Sequence, residues 1–315
     1  MSNKLLISTI CSGALLLTAC GGGGDSSNNQ TSFDSKEKID YTKKENIALV
    51  SKPIVAISNE HNNPIINIGT VAQEIHYLIS NQNSSSYSIS CQSGSTKLNN
   101  DGSVTLNNCK NPTVRSDKGS FLIFGKDEVA TASGTIQSKT TQSPISEKTD
   151  LTLTNFNIDL AKEVHLANGK LNITSTTLSN NIYRDLFEVN QFTYKFSDKI
   201  DRNNTQKFTV NNYALVSNHS LSTGNIENIA QGQLNGEVNS KIFSVNFNAK
   251  VPFYNAQSLE NMQPSNAIVE IEDVNNKQNS IVITETVDGQ AMINAYANNQ
   301  SVAGFPITID WISFY

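Results

Sequence analysis

KIFSVNFNAKVPF, residues 241–253, alternates apolar and polar side chains along its whole length. The apolar positions are Phe243, Val245, Phe247, Ala249, Val251 and Phe253. Because successive side chains of a β-strand point to opposite faces, this period of two collects the apolar groups on one face. The stretch therefore predicts a strand in an antiparallel sheet with one buried face and one face in water.

The same period recurs in other stretches of the chain, namely LTLTNFNIDL (151–160), QFTYKF (191–196) and NSIVITETVDGQAMINAY (279–296). In the first of these, the apolar side reverses near Asn155. The last predicts a hairpin with its turn at Asp288 and Gly289. Turn residues separate the apolar stretches at short intervals, which is typical of all-β folds. We therefore expect a mainly β protein: an antiparallel meander that forms a curved, partly closed sheet or a barrel-like body.

One segment near the N-terminus has a helical pattern. In TVAQEIHYLIS, residues 70–80, the apolar residues Val71, Ile75, Leu78 and Ile79 recur at helical spacing. This apolar face must be covered, so we expect one short N-terminal helix packed on the concave side of the sheet.

Two cysteines, Cys91 and Cys109, flank the turn signal Asn99-Asn100-Asp101-Gly102. If Leu98 paired with Gly102, the same register would place the two cysteines directly opposite each other, close enough to bridge. The alternative, a metal-binding thiol pair, lacks further Cys or His ligands nearby. The spacing predicts a structural disulfide.

The first 20 residues predict a secreted, lipid-anchored protein. Lys4 precedes an apolar run from Leu5 to Leu17, which is typical of a signal peptide and too short to span a bilayer. The run ends in Leu17-Thr18-Ala19-Cys20, which resembles the lipobox of bacterial lipoproteins. The resemblance implies cleavage between Ala19 and Cys20 and lipidation of Cys20. Because Gly21, rather than aspartate, follows the cysteine, the resemblance also favours the outer membrane and leaves the leaflet open.

Residues 20–45 predict a tether and residues 46–315 a single β-rich domain, after the signal peptide at 1–19. The tether is rich in Gly, Ser and Asn, and its composition predicts a flexible coil with a reach of about 25–30 Å. The overall pattern resembles β-rich outer-membrane lipoproteins of Gram-negative bacteria. The C-terminal FPITIDWISFY also resembles the last strand of outer-membrane barrels, but short strands and few aromatic residues fit such a barrel poorly.

The charge and composition narrow the possible functions. The chain has 23 basic and 28 acidic residues, a formal net charge of −5, and no basic patch in the domain, which argues against nucleic-acid binding. Asn, Ser and Thr make up about a third of the chain. No hydrolase, metalloprotease or phosphate-binding motif occurs, so we expect neither a catalytic residue, nor a metal, nor a cofactor.

Neither the histidines nor the one acidic cluster predicts a catalytic or metal-binding site. His61, His76, His165 and His219 are scattered in sequence, and His76 on the predicted helix is expected at the surface. The acidic cluster consists of Glu270, Glu272 and Asp273. Its sequence, VEIEDVNN, is typical of a strand rather than of a calcium loop.

Two functions remain open. One is a non-enzymatic structural or interaction role at the outer membrane, with other envelope proteins or glycans as partners. The other is a carrier of an apolar ligand, which resembles in outline the incompletely closed barrels of lipoprotein-sorting factors. The candidate lining of the carrier is Phe243, Val245, Phe247 and Phe253 on the sheet, facing Ile75, Leu78 and Ile79 on the helix. Alternatively, these side chains fill the core.

Overall fold

A computed structural model describes residues 36–81, 87–116, 119–124, 129–179, 181–201, 204–255 and 267–314. The signal peptide, Cys20 and most of the tether lie outside the described residues. In chain order the N-terminal elements are β1 (Glu37–Lys38), α1 (Lys44–Ile57), α2 (Pro64–Ser80), β2 (Tyr87–Ser90), β3 (Ser93–Leu98), β4 (Val104–Lys110), β5 (Thr113–Ser116) and β6 (Gly119–Leu122). The long strands of the meander follow as β7 (Thr131–Gln142), β8 (Ser146–Asp159), β9 (Glu163–Ser179), β10 (Ile182–Asp198), β11 (Thr205–Ser220), β12 (Ile226–Val238) and β13 (Lys241–Val251). The chain continues with β14 (Phe253–Asn255), β15 (Ile268–Asp273), β16 (Ser280–Glu285), β17 (Ala291–Ala297), β18 (Gln300–Ser301), β19 (Ile307–Ile309) and a final 3₁₀ turn at Trp311–Phe314.

One large sheet organises the protein, in the order β18-β17-β16-β15-β13-β12-β11-β10-β9-β8-β7-β4-β3. Neighbours along this path are antiparallel, which confirms the predicted mainly β meander. Within the described residues, no pairing joins the end strands β3 and β18, so the sheet is not a closed barrel. The three strands β2, β5 and β6 form a separate small sheet.

A line of β-bulges crosses the large sheet from β3 to β12. In β4, β8 and β11 the residue with positive φ at the bulge is an asparagine: Asn108, Asn155 and Asn212. The neighbouring strands place a glycine against the bulge. Gly134 has a φ of +107°, and a Cβ there would lie 2.3 Å from the backbone oxygen of Asn155. Only glycine fits this close approach.

These bulges explain why the apolar pattern changes parity inside a strand. In LTLTNFNIDL the alternation of apolar residues shifts by one position at Asn155. Leu153 before this point and Phe156 after it are both buried. Because the bulge inserts one extra residue, even and odd positions exchange faces there. The apolar groups therefore stay on one side of the sheet, called here the inner face, and the apparent reversal is not a change of side.

In the described part of the chain, two helices, rather than the single predicted one, cover the inner face. The predicted helix at 70–80 is the second half of α2, which begins at Pro64. The Asn63 Oδ1 atom caps this helix by accepting hydrogen bonds from the backbone N–H groups of Ile65 and Ile66. Its first turns are rich in isoleucine and contain Gly69, residues with weaker helix propensity, so the pattern there resembles a strand. The Gly69 Cα lies so close to the sheet that an added Cβ would be 2.7 Å from the Leu171 side chain.

The first helix, α1, starts within the predicted tether. It has Pro53 in its interior, a residue that normally interrupts a helix. Strand β1 precedes it and pairs in parallel with the start of β13. The folded body therefore begins before Asn46, the predicted domain boundary.

A disulfide joins Cys91 and Cys109, with a Cα–Cα distance of 5.1 Å, as predicted. The register that led to it is wrong, however. Leu98 pairs with Val104 rather than with Gly102, because the turn spans residues 99–103 and is closed by a hydrogen bond from the Asn99 N–H to the Ser103 carbonyl.

Candidate functional site

The inner face becomes polar where the turn between α1 and α2 crosses β10, β11 and β12. Register places Asp185 of β10 opposite Ser217 of β11, and Ser217 opposite Asn228 of β12. His219 follows two residues after Ser217 and so shares its face. Glu60, in the turn between α1 and α2, lies over this patch.

The turn is fixed to the sheet by buried hydrogen bonds. The Asn63 Nδ2 atom donates to the Tyr213 hydroxyl at 2.8 Å, and that hydroxyl donates to the Ile57 carbonyl at 2.7 Å. The Glu60 N–H donates to Asn228 Oδ1 at 3.4 Å. Since Asn63, Tyr213 and Asn228 are buried, these bonds hold the turn in one position over the strands.

His219 lies between two carboxylates. Its Nε2 atom is 2.9 Å from Glu60 Oε2 and 3.3 Å from Asp185 Oδ2. Single ligand atoms of the three residues all lie within 4.8 Å of one another. Burial disfavours the charged imidazole, but Asp185 and Glu60 outweigh it and raise the pKa of His219 to about 9. The group is thus a compact set of one nitrogen and two oxygen ligands.

Neighbouring side chains position the members of this group. The Ser217 hydroxyl donates a short hydrogen bond to Glu60 Oε2 and lies 2.9 Å from Asn228 Oδ1. The Tyr183 ring stacks on His219, with centroids 4.2 Å apart and planes 7° from parallel. His219 is only 8% exposed. We name Glu60, Asp185 and His219 together the two-carboxylate cluster.

A second histidine cluster lies on the same face, near the other end of the strands. The His165 ring is bonded on both sides: Nδ1 lies 2.7 Å from the Tyr194 hydroxyl and Nε2 lies 2.9 Å from Glu163 Oε1. All three residues are buried. Burial, and then the charge of Glu163, raise the pKa of Tyr194 far above its usual value. We name Glu163, His165 and Tyr194 the one-carboxylate cluster.

A surface cleft of about 490 Å³ opens beside the two-carboxylate cluster, and Tyr183 lines it. Hydroxyl groups of β8 and β9 and the exposed apolar side chains Ile145, Ile182 and Leu221 form its other walls. These apolar residues lie in the β7–β8 turn, at the start of β10 and in the β11–β12 turn. Tyr183 thus lies between the cleft and the two-carboxylate cluster.

The structure does not bring together the predicted lining of an apolar pocket. The strand residues Phe243, Val245, Phe247 and Phe253 are buried on β13 and β14. The helix residues Ile75, Leu78 and Ile79 are buried at the end of α2, which contacts β3 and β4. Six strands, β12 to β7, lie between β13 and β4 in the sheet. Each group therefore packs in its own part of the core.

The other sequence-predicted positions also have defined places. His76 is buried rather than at the surface, because the β3–β4 turn covers it, and its Nε2 atom lies 2.9 Å from the Gly102 carbonyl oxygen. Glu270, Glu272 and Asp273 lie on strand β15, as VEIED predicted. Glu270 and Glu272 form ion pairs with Lys250 and Lys277.

The sequence reading missed the two-carboxylate cluster, since Glu60, Asp185 and His219 are far apart along the chain. Comparison with protein-family models, curated proteins and solved structures found no significant match. Among the described residues, neither helix has the length and apolar character needed to cross a membrane. The function must therefore be argued from the geometry of this chain alone.

Proposed function

We propose that this chain is a lipoprotein of the bacterial outer membrane, anchored through Cys20, with a non-enzymatic role as a docking protein for another envelope protein. The observation that carries the proposal is the set of exposed aliphatic side chains around the cleft. Ile145 is 65% exposed and Leu221 64% exposed, and both sit at the tips of tight turns. Clustered exposed apolar groups rimmed by polar ones are typical of protein contacts.

The cleft walls belong to one continuous surface. Backbone hydrogen bonds join neighbouring turns: the Thr177 N–H donates to the Ile145 carbonyl at 2.9 Å, and the Leu221 N–H donates to the Asn181 carbonyl at 2.7 Å. We call this end of the sheet the cleft end. A protein partner is favoured over a glycan because the most exposed apolar groups at the cleft, Ile145 and Leu221, are aliphatic, and such groups are typical of protein contacts.

The chain direction supports a docking surface that faces away from the bilayer. Strand β1 joins the sheet at the start of β13, beside the β12–β13 turn, which lies at the opposite end of the strands from the cleft. A strand of 17 residues, such as β10, spans about 55 Å. This length exceeds the predicted reach of the tether, so the cleft end is the far end of an anchored molecule.

Site-specific photo-crosslinking in living cells tests the proposal. A photoreactive residue replaces Ile145 in the full chain, and the matched control replaces Ile200, an isoleucine that is 76% exposed in the β10–β11 turn at the other end. We expect one discrete protein adduct from Ile145, none from Ile200, and loss of the adduct in Leu221→Asp. The same adduct from both positions, or none from Ile145, would overturn the docking role.

The anchor is tested separately by labelling cells with radioactive palmitate. We expect label in the wild-type chain and none in Cys20→Ser. Label that persists in Cys20→Ser would contradict the predicted anchor without bearing on the cleft.

A further inference from the structure

We propose that the two-carboxylate cluster is a binding site for one divalent transition-metal ion, with Zn²⁺ as the best match. Glu60, Asp185 and His219 each offer one ligand atom, and these atoms lie within 4.8 Å of one another. The ligands come from the α1–α2 turn, from β10 and from β11, so an ion here would fasten the helices to the sheet. The inference goes beyond the docking role and does not depend on it.

The spacing of the ligand atoms fits a small ion. In a tetrahedral site with metal–ligand distances of about 2.0–2.1 Å, neighbouring ligand atoms lie about 3.3 Å apart. The His219 Nε2 atom is 2.9 Å from Glu60 Oε2 and 3.3 Å from Asp185 Oδ2. Small side-chain movements would therefore complete the coordination, with a fourth position left for water.

Two buried polar atoms at the cluster have no hydrogen-bond partner among the described residues. His219 is more than nine-tenths buried, and its Nε2 atom, although close to both carboxylates, makes no hydrogen bond of acceptable geometry within the described part of the chain. The Oδ1 atom of Asp185 is also buried and receives no hydrogen bond from any described residue. Leaving such groups unpaired is costly, and a bound cation would give His219 Nε2 and the Asp185 carboxylate a partner.

The surroundings resemble the outer shell of a metal site. Ser217 donates to Glu60 Oε2, and Asn228 accepts from the Glu60 N–H, so the carboxylate and its backbone are both held. Outer-shell bonds of this kind orient metal ligands. The Tyr183 ring covers one face of the imidazole and limits the approach of solvent.

The donor set selects the class of ion. Two carboxylates neutralise a divalent cation, and an imidazole ligand favours zinc and its neighbours over Mg²⁺ and Ca²⁺, which prefer oxygen ligands alone. The competing occupant is a proton on His219 Nε2, which would leave an ion triplet with one net negative charge. Metal titration separates the two possibilities directly.

Isothermal titration calorimetry with ZnCl₂ provides the test. The full-length lipidated protein, without a histidine tag, is stripped with EDTA and exchanged into detergent buffer. We expect one saturable site in the wild type and at least a tenfold loss of affinity in Glu60→Gln and His219→Gln. The matched control is His61→Gln, an exposed histidine next to Glu60, which should bind as the wild type does.

Three outcomes would overturn the site: no uptake by the wild type, unchanged affinity in both Glu60→Gln and His219→Gln, or loss of binding in His61→Gln alone. If His219→Gln fails to fold by circular dichroism, Glu60→Gln decides, because Glu60 is the most exposed of the three ligands. Cobalt substitution gives a second measurement, since intense visible absorption is expected from wild-type protein with one equivalent of Co²⁺ and none from Glu60→Gln.

Discussion

Two histidines on the same buried face of one sheet have opposite surroundings. In the one-carboxylate cluster, the nitrogens of His165 contact one phenol and one carboxylate. In the two-carboxylate cluster, a single nitrogen of His219 faces two carboxylates, and an oxygen of Asp185 has no hydrogen-bond donor among the described residues. The first arrangement is complete within the protein, whereas the second leaves a buried carboxylate oxygen of Asp185 without a donor among the described residues.

This difference separates a structural group from a binding group. Buried polar networks stabilise a fold when every member is paired, and they are costly when members are left unpaired. The one-carboxylate cluster therefore contributes to stability directly. The two-carboxylate cluster gains its full stability only with an added cation, so the two clusters should respond differently to the same substitutions.

Among these substitutions, removal of one carboxylate from each cluster should change the free energy of unfolding the most. Glu163→Ala leaves His165 Nε2 buried without its carboxylate, and we expect a loss of about 2–3 kcal/mol in the free energy of unfolding. In metal-free protein Glu60→Ala should cost less than about 1 kcal/mol, because His219 keeps Asp185 and Ser217 keeps Asn228. Urea unfolding in the presence of EDTA measures both values. Equal losses, or a larger loss at Glu60, would contradict the distinction.

Removal of the hydroxyl from the tyrosine beside each histidine should change the free energy of unfolding by an intermediate amount. Tyr194→Phe deprives His165 Nδ1 of its partner, so we expect a loss of about 1–2 kcal/mol in unfolding free energy. Tyr183→Phe keeps the ring that stacks on His219 and should change stability by less than about 0.5 kcal/mol. The same unfolding assay compares them. A cost at Tyr183 that matches the cost at Tyr194 would show that its hydroxyl has a structural role.

The strands were predictable because half-buried strands leave a period of two in the sequence. This period marks β13 at Phe243 to Ala249 and the hairpin of β16 and β17 around Gly289. The helices were less predictable. Isoleucines at the start of α2 and Pro53 within α1 have low helix propensity, and packing on the sheet overrides that preference.

The two-carboxylate cluster could not be predicted, because it depends on which face His219 occupies. In β11, Phe208 and Val210 are buried at even positions, whereas Tyr213 and Leu215 are buried at odd positions. The bulge at Asn212 makes this exchange, and only after it does His219 point to the inner face. Repeated asparagines within apolar strands were the available signal, since asparagine tolerates positive φ.

His76 extends the comparison to a buried histidine that contacts no carboxylate among the described residues, and its substitution should change stability the least. Burial lowers the pKa of His76, and the hydrogen bond to the Gly102 carbonyl opposes this only in part. Because the pKa is lower in the folded state than the usual 6.5, the unfolded state binds the proton first. Stability should therefore be unaffected above pH 6.5 and fall as the pH decreases through the folded pKa. The slope should not exceed about 1.4 kcal/mol per pH unit, which corresponds to one proton.

Urea unfolding of the wild type and His76→Gln between pH 7.5 and 5 should show a steeper decline in the wild type. Parallel curves would mean that His76 takes up its proton equally in both states, and that burial without a carboxylate is not what distinguishes it from His165 and His219.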